Sequence, residues 1–256
     1  MKSKETDHEI LFWDFEKEIS ETVKLQIELL LNYVAKTVKN KEVRQNRYLT
    51  PLKCLLCYAK NSGLQNILKM EMDQEKEYTL LLKKQMGKSY TSAARFIAFC
   101  RRTLFLETKE INWEANVWYV EKLNIAPERY SLSSMIESFS FLDIQFPDNR
   151  TMLQKYMKYL FTVTNLNLGT IRIKHTYAKE FLKFLEEKGE VITNIDVHFV
   201  KEYFDRLSMQ SISPQSSNNK IKEIVAFIQY LQVTDQMAQF TIPVSFYQKK
   251  SFPKNN

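Results

Sequence analysis

"TIRIKHTYAKEFLKFLEEKG" (residues 170–189) decides the fold class, because its side chains repeat with the period of an amphipathic α-helix. The apolar residues at the i, i+3, i+4 and i+7 spacing of one buried stripe are Ala178, Phe181, Leu182 and Leu185. A second stripe lies about 120° around the helix, at about 100° per residue. It consists of Arg172, His175, Lys179 and Lys183. The stretch therefore predicts a helix with one buried face and a row of basic side chains beside it.

Composition extends this prediction to the whole chain. Only four Gly and six Pro occur among 256 residues, which favours long helices joined by short loops over a fold with many tight turns. Hydrophobic residues make up 44% and charged residues 26%, as in ordinary globular proteins. No apolar run is long enough for a membrane span, and the start "MKSKETDHEI" has no apolar signal-peptide core. We therefore expect a cytoplasmic protein with no membrane partner.

Basic residues are concentrated in two segments. The chain carries a formal net charge of +7 and has a pI near 9.1. Met1–Leu31 holds eight acidic and four basic residues. In contrast, Lys36–Lys60 holds seven basic residues and one acid, Glu42, and Lys83–Arg102 holds six basic residues and no acid. A solvated face explains any one segment, but the concentration of charge favours a polyanionic partner.

The three cysteines do not indicate a metal or redox site. Cys54 and Cys57 form a C-x-x-C pattern, but neither a second pair nor a nearby His completes a tetrahedral zinc site. Both residues lie in an apolar helical stretch, where buried thiols are common. We therefore expect no metal and no cofactor, and the odd number of cysteines fits a reducing compartment.

Helical periodicity recurs in two sets of four segments, which are separated by turn-like stretches. The first set covers about 21–38, 44–61, 71–86 and 91–107. The second set covers about 148–164, 168–188, 195–209 and 215–232. The predicted N-caps of the last two helices are Thr193 and either Ser216 or Ser217.

The two sets align at a spacing of about 129 residues, which indicates an internal duplication. Trp13-Asp14-Phe15 falls on Leu142-Asp143-Ile144, and Tyr48 falls on Tyr177. We therefore predict an all-α fold of two similar four-helix bundles joined by a linker. The predicted divisions are a helical domain at 1–110, the linker at 111–146, a second helical domain at 147–240 and a tail at 241–256.

Two interpretations of the linker stay open. Its apolar residues alternate with polar ones around "INWEANVWY" (111–119), which is typical of a short strand. An extended segment laid across a neighbouring helix fits the same pattern.

The helix predicted at 91–107 carries a basic flank. The residues on this flank are Thr91, Arg95 and Arg102. Guanidinium groups beside small residues suit a phosphate backbone or a major groove. Further donors precede the helix, where free N–H groups and the helix dipole favour phosphate. These donors are Lys84, Lys88 and Ser89.

Polar residues also mark the entry to the last helix, "SPQSSNNKIKE" (213–223). Short hydroxyl and amide side chains cap helices, and they also bind phosphates or base edges. Both roles stay open for Ser216 and Ser217. For His175, contact with DNA and a partly exposed position without a role both stay open.

The stretch "GTIRIKHTYAKEFLKFLEEKGEVITNIDVHFVKEYFDRLSMQSISPQSSNNKIKEIVAFIQYL" (169–231) resembles the core-binding, SAM-like domain of tyrosine recombinases, the phage-integrase superfamily. The matching features are a Thr–Tyr–Phe–Leu helix, an "Ile-Thr" lead into "Val-x-x-Tyr-Phe" and a Ser/Asn-rich entry to the last helix. The likeness covers about 150–232, and 12–107 resembles a degenerate copy. The chain is similar to the N-terminal half of transposon-encoded members of this superfamily. This resemblance implies a DNA-binding region that grips one side of a duplex during DNA integration and recombination.

The resemblance also implies which residues face DNA, because the second and fourth helices of the core-binding domain do so in that family. In this chain they carry Thr170, Arg172, Lys174, His175, Lys179, Lys183, Gln215, Ser217, Asn218, Lys220 and Lys222.

The catalytic residues of that family are not found in this sequence. The Arg…Lys…His-x-x-Arg…His…Tyr constellation should follow the core-binding domain, and no His has Arg at the third position after it; His198 has Lys201. We therefore expect a fragment or truncated form that binds double-stranded DNA without cleaving it, assembles as a homo-oligomer on DNA and takes no small-molecule substrate.

A rival interpretation is a helical protein–protein module that docks a partner subunit through "VWYVEKL" (117–123) and through the faces of its helices. An enzyme of unrelated chemistry ranks third, because the sequence holds no recognisable catalytic constellation.

Overall fold

A computed structural model describes residues 19–130 and 135–242 of the chain. Trp13-Asp14-Phe15, His8 and all but the first two residues of the predicted tail lie outside the described residues. The chain divides into two compact units, Met1–Lys122 (unit 1) and Leu123–Asn256 (unit 2). The all-α prediction is confirmed, because only two strands of three residues each accompany the helices in the described part of the chain.

The helices of unit 1 follow the predicted segments closely. They are α1 (Glu21–Thr37), α2 (Lys41–Arg44), α3 (Thr50–Ser62), α4 (Met72–Met86) and α5 (Phe96–Glu107). A π-helical segment at Gln45–Leu49 makes α2 and α3 continuous. Three 3-10 segments lie at Ile67–Lys69, Gly87–Ala93 and Val120–Lys122.

Local sequence signals explain where these helices begin and end. The Ser20 side chain caps α1 by accepting a hydrogen bond from the Val23 N–H. Glu71 and Gln74 form a reciprocal capping box at the start of α4. Gly63 ends α3 with a φ of 67°, a left-handed conformation that only glycine adopts without strain.

The core of unit 1 is formed by apolar side chains at helical spacing. Helix α1 packs on α5 and α3, and α3 packs on α4. The fully buried residues on these faces include Val23, Ile27, Leu30, Leu52, Leu55, Leu82 and Leu104. Burial of each such side chain contributes about 1.5–3 kcal/mol of transfer free energy.

The predicted linker is packed against the rest of its units and is divided between them. Residues 111–122 belong to unit 1, where the Asn116 N–H donates to the Leu68 carbonyl at 2.9 Å. Strand β1 (Val117–Tyr119) lies here, and Trp118 is fully buried. Of the two interpretations left open for 111–119, the short strand is found only at Val117–Tyr119; residues 111–116 form no strand, and Asn116 bonds to the neighbouring segment at Leu68. The remainder of the segment belongs to unit 2 and contains β2 (Ser138–Ser140).

Unit 2 contains four helices close to the predicted ranges. They are α6 (Pro147–Thr162), α7 (Leu168–Glu187), α8 (Val197–Met209) and α9 (Pro214–Val233). Helix α7 packs on α6, α8 and α9, and it buries all four residues of its predicted apolar stripe. Within the described residues, no helix combines the length and the apolar character needed to cross a membrane.

The predicted N-caps of the last two helices are wrong. Helix α8 is capped by Asp196, whose carboxylate accepts hydrogen bonds from the N–H groups of His198 and Phe199. Helix α9 is capped by Ser213, whose hydroxyl accepts from the Ser216 N–H at 3.1 Å. Pro214 at the first helical position sets this earlier start, because its fixed φ suits a helix and its missing N–H is not needed there.

A buried polar network joins α6 to α7 and to the chain after α7. The Glu186 carboxylate accepts from the backbone N–H groups of Gln145 and Phe146, both at 2.9 Å. Asn149, which is fully buried, accepts from the Ile192 N–H at 2.8 Å and donates to the Glu190 carbonyl. The bonds to Phe146 and Ile192 satisfy backbone N–H groups that would otherwise be part-buried or buried without partners.

Candidate nucleic-acid interface

His175 is part of the core of unit 2 and does not reach the surface. Its ring lies edge-on between Phe139 and Phe141, with centroid distances of 5.4 and 5.3 Å, and the residue is 6% exposed. Burial, assisted by the positive charge of Lys179, lowers the pKa of His175 to about 3, so the ring is neutral. The prediction that His175 contacts DNA is therefore wrong, because β2 and the residues after it cover this part of α7.

Two lysines of the predicted site pair with carboxylates between α7 and α9. Lys174 pairs with Glu223, and the two side chains are only 13% and 15% exposed. Lys220 donates to Glu180 at 2.6 Å and lies over the Tyr177 ring. These ion pairs link the two helices. Because the paired carboxylates neutralise the lysines, neither lysine offers much net positive charge to an external anion.

One row of cations on α7 faces outward. Arg172, Lys179 and Lys183 recur at i, i+7 and i+11, which places them on one side of the helix; we call them the α7 row. Arg172 and Lys183 are exposed and form no ion pair within the described residues, although the charge of Lys183 acts on the carboxylates of Asp143 and Glu187.

Lys179 is the exception in the α7 row, because it binds Asp143 at 2.7 Å. Burial raises the pKa of Asp143, but the hydrogen bond and charge of Lys179 outweigh burial and hold this pKa below its ordinary value. The Asp143 carboxylate is therefore ionised and neutralises Lys179.

The polar residues at the start of α9 serve mainly the helix itself. Ser217 is 3% exposed and is therefore not available to a ligand. Gln215 donates to Asn219 at 3.0 Å along the helix, and Asn218 is half-buried. Lys222 is exposed, but it lies two residues after Lys220 and thus about 200° around α9 from it. Thr170 is half-buried in the first turn of α7, and its N–H donates to the N-cap Asn167.

The basic flank predicted on α5 is divided by a break in the chain. Helix α5 starts at Phe96, because Arg95 adopts φ −107° and ψ 19°, outside the helical range. Thr91, Ser89 and Lys88 lie before this break in the 3-10 segment Gly87–Ala93. The prediction that Thr91, Arg95 and Arg102 share one helical flank is therefore wrong.

The two arginines within α5 are already paired. Arg101 is buried, donates to Glu75 at 2.6 Å and also donates to the Met70 carbonyl. Arg102 binds Glu121 at 2.5 Å and lies over the Tyr119 ring. Of the six basic residues between Lys83 and Arg102, these two contribute least to an external positive surface.

Several exposed cations of unit 1 form no ion pair within the part of the chain that the structure describes, and four of them lie on or beside the 3-10 segment Gly87–Ala93 and the π-helical segment packed against it. These four are Arg47, Lys84, Lys88 and Arg95, which we call the basic surface of unit 1. The 3-10 segment that carries Lys88 packs against the π-helical segment that carries Arg47. Arg47 is absent from the predicted site, although it lies in the basic segment Lys36–Lys60, and that segment was the available signal.

Arg47 and Arg95 line the same cavity, which has a volume of about 330 Å³. Its wall includes Tyr48, Phe96, Phe99 and the Ser92 side chain. The lining residues, all within the described ranges, include two guanidinium groups and no carboxylate. The Ser92 hydroxyl donates to the Ser89 carbonyl at 2.7 Å, which holds this turn in place.

A second cavity of unit 1 differs in charge. It has a volume of about 460 Å³ and is lined by α1 together with Glu107. Its charged residues are Glu28, Lys36 and Glu107, so its described lining has an excess of negative charge. Of these two cavities, the one with Arg47 and Arg95 suits an anion.

Two of the three cysteines, Cys54 and Cys100, are packing residues. Cys54 and Cys100 are buried, and Cys57 is exposed. Burial, together with the nearby Cys57, raises the pKa of the Cys54 thiol to about 11, which keeps it protonated. No group of three or more His, Cys, Asp or Glu side chains suitable for a metal ion occurs among the residues that the structure describes.

Comparisons with protein-family models, with curated proteins and with solved structures find no match to this chain.

Proposed function

We propose that the chain binds double-stranded DNA. The observation that carries this proposal is the basic surface of unit 1, where four exposed cations lie without acidic partners, whereas Arg101, Arg102 and Lys174 pair internally. Unpaired Lys and Arg side chains on one surface gain most from phosphates, because their approach releases the counterions condensed on a duplex. A net charge of +7 adds long-range attraction to the same partner.

The α7 row is the proposed contact of unit 2. Arg172 and Lys183 are about 16 Å apart along the helix axis, from a rise of about 1.5 Å per residue over eleven residues. This spacing lets two side chains of one helix reach different phosphates of a strand. Contacts of this kind position a protein on DNA and carry little sequence information.

A role as the DNA-binding region of a tyrosine recombinase is the finer form of the proposal. It rests on the sequence resemblance of 150–232 and on the helical order of both units. In this form, the chain would hold DNA during integration or recombination, and residues elsewhere would supply the chemistry.

The alternative of a protein–protein module loses one of its two supports, the segment "VWYVEKL". The apolar side chains of "VWYVEKL" that were expected to dock a partner are buried: Val117, Trp118, Val120 and Leu123. Tyr119 is half-buried, and the Arg102 guanidinium lies over its ring.

The test is a salt titration of duplex binding with two double variants. Lys84→Ala/Lys88→Ala removes half of the basic surface, and Arg172→Ala/Lys183→Ala removes the unpaired part of the α7 row. Each phosphate contact contributes about 0.9 to the slope of log affinity against log salt, so each double variant should lower that slope by about 2. Fluorescence anisotropy with a short labelled duplex measures both affinities and slopes.

Lys69→Ala/Lys76→Ala is the matched control. It removes the same charge from unit 1, but its lysines are already paired with Glu114 and Asp73. We expect this control to keep a slope close to that of the wild-type chain. If control and test variants lower the slope equally, or if the wild-type chain binds no duplex at low salt, the proposal is refuted.

A further inference from the structure

We infer that the cavity lined by Arg47 and Arg95 binds a single nucleoside phosphate unit, with its phosphate between the two guanidinium groups and its base against Tyr48 and Phe99. The unit comes either from a free nucleotide or from an unpaired nucleotide of a bound strand. The inference rests on the proposed function, because Arg95 belongs both to the basic surface and to the cavity.

The charge of the cavity indicates the phosphate. Two arginines line it, and the described residues of its lining include no carboxylate. Guanidinium groups bind phosphate oxygens in a bidentate manner and keep their charge at any physiological pH. No side chain caps the N-terminus of α5, which begins directly after Arg95, so the positive end of the helix dipole adds to this charge.

The aromatic wall indicates the base. The rings of Tyr48 and Phe99 meet edge-to-face with centroids 4.8 Å apart, and Phe96 lies 6.0 Å from Phe99. Tyr48 and Phe99 are half-buried, so part of each side chain remains accessible. Aromatic side chains stack with any nucleobase, because every base has a π-face.

The size of the cavity limits the ligand to one unit. Its volume of about 330 Å³ is close to the lower end of the range for small-molecule sites, about 300–1,000 Å³. A paired base cannot enter such a concave site, because its edges and both faces are occupied in the duplex. An unpaired or extruded nucleotide is free of this restriction.

The experiment compares four probes on the full chain: deoxyadenosine monophosphate, inorganic phosphate, a fully paired duplex and the same duplex with one unpaired adenine. For a free nucleotide as the source, the monophosphate should bind about 10-fold more tightly than phosphate, as expected for one stacked base. For a strand as the source, the duplex with the unpaired adenine should bind about 10-fold more tightly than the paired duplex.

Variants of the cavity residues test whether an observed preference arises at this cavity. Tyr48→Leu and Arg47→Ala/Arg95→Ala should each abolish the preference. Tyr48→Phe keeps the ring, and Lys84→Ala/Lys88→Ala removes the same charge outside the cavity lining, so both should retain it. Thermal unfolding by circular dichroism identifies any variant that fails to fold, and the arginine variant then stands in for Tyr48→Leu.

Two outcomes overturn the inference. In the first, neither preference is observed, although the paired duplex binds and the salt dependence of its binding is lowered by Lys84→Ala/Lys88→Ala. The proposed function is then retained, and the cavity is not a nucleotide site. In the second, a preference is observed but survives both cavity variants. Binding of the monophosphate without any duplex binding would instead retain the cavity site and refute the proposed function.

Discussion

Replacement of His175 by Gln should remove a specific part of the pH dependence of stability. The imidazole lies between Phe139 and Phe141, and its Nε2 has no hydrogen-bond partner among the described residues. Burial, followed by the charge of Lys179, lowers its pKa from 6.5 to about 3, whereas Asp143 and a hydrogen bond to the Ser140 backbone act in the opposite direction. The folded chain therefore keeps this ring neutral well below the pH at which the unfolded chain protonates it.

The sign of the effect follows from this difference in proton binding. Between about pH 3 and 6.5 the unfolded state holds a proton on His175 that the folded state does not hold. The contribution of the neutral His175 ring to the free energy of unfolding is therefore fully present above pH 6.5. It is lost as the pH is lowered toward 3. From pH 7 to pH 5, a proton bound only by the unfolded state lowers the free energy of unfolding by about 2 kcal/mol.

Urea-induced unfolding at pH 7 and at pH 5, followed by circular dichroism, measures this difference. Carboxylates such as Asp143 also contribute to the pH dependence, so the decisive quantity is wild type minus His175→Gln. The wild-type chain should lose about 2 kcal/mol more than the variant between these two pH values. Gln retains an amide donor for the Ser140 carbonyl and does not titrate.

His198→Gln is the matched control, because His198 is exposed on α8. This control should lose stability between pH 7 and pH 5 to the same extent as the wild-type chain. Equal pH dependence in His175→Gln and the wild type would refute the reasoning, because it would mean that the His175 ring is solvated or charged in the folded chain.

Two further predictions concern ion pairs. Glu75→Gln should lower the free energy of unfolding by about 3 kcal/mol, because it leaves the buried Arg101 without its carboxylate. The control Glu110→Gln, at an exposed position, should change this free energy little. Chemical denaturation measures both variants, and equal stabilities of the two would contradict the prediction. Asp143→Asn should leave Lys179 free to contact phosphate and should steepen the slope of log affinity against log salt for duplex binding by about 1. The control Asp148→Asn, at an exposed position, should leave this slope unchanged. An unchanged slope in Asp143→Asn would show that Lys179 does not reach phosphate.

Sequence patterns predicted the helices well and the candidate site only in part. The buried stripe of α7 was predicted residue by residue, because i, i+3, i+4 and i+7 positions face one side of a helix whatever packs against it. The prediction that His175 lies on the surface was wrong, because the sequence of α7 alone places this residue beside Lys179 in the basic stripe. Only the return of the chain through Phe139 and Phe141 covers it.

The N-cap errors have a similar cause. Several Ser, Thr and Asp residues precede α8 and α9, and each is an acceptable cap by composition. Asp196 and Ser213 are the caps because their backbones are extended and their oxygens reach the following N–H groups. Such dihedral angles depend on the preceding loop and are not encoded in residue type alone.

The sequence by itself determined that this protein is helical, basic and poor in turns, because period, composition and net charge are properties of the chain and need no knowledge of distant contacts. The tertiary structure decided which cations are available, because an acid such as Glu75, Asp143 or Glu223 reaches its cation only when distant segments pack together. It also brought Arg47 and Arg95, which are separated by 48 residues, to one cavity. Whether a cation is unpaired, and whether two cations line one cavity, depends on contacts between distant segments, and these contacts exist only in the folded chain.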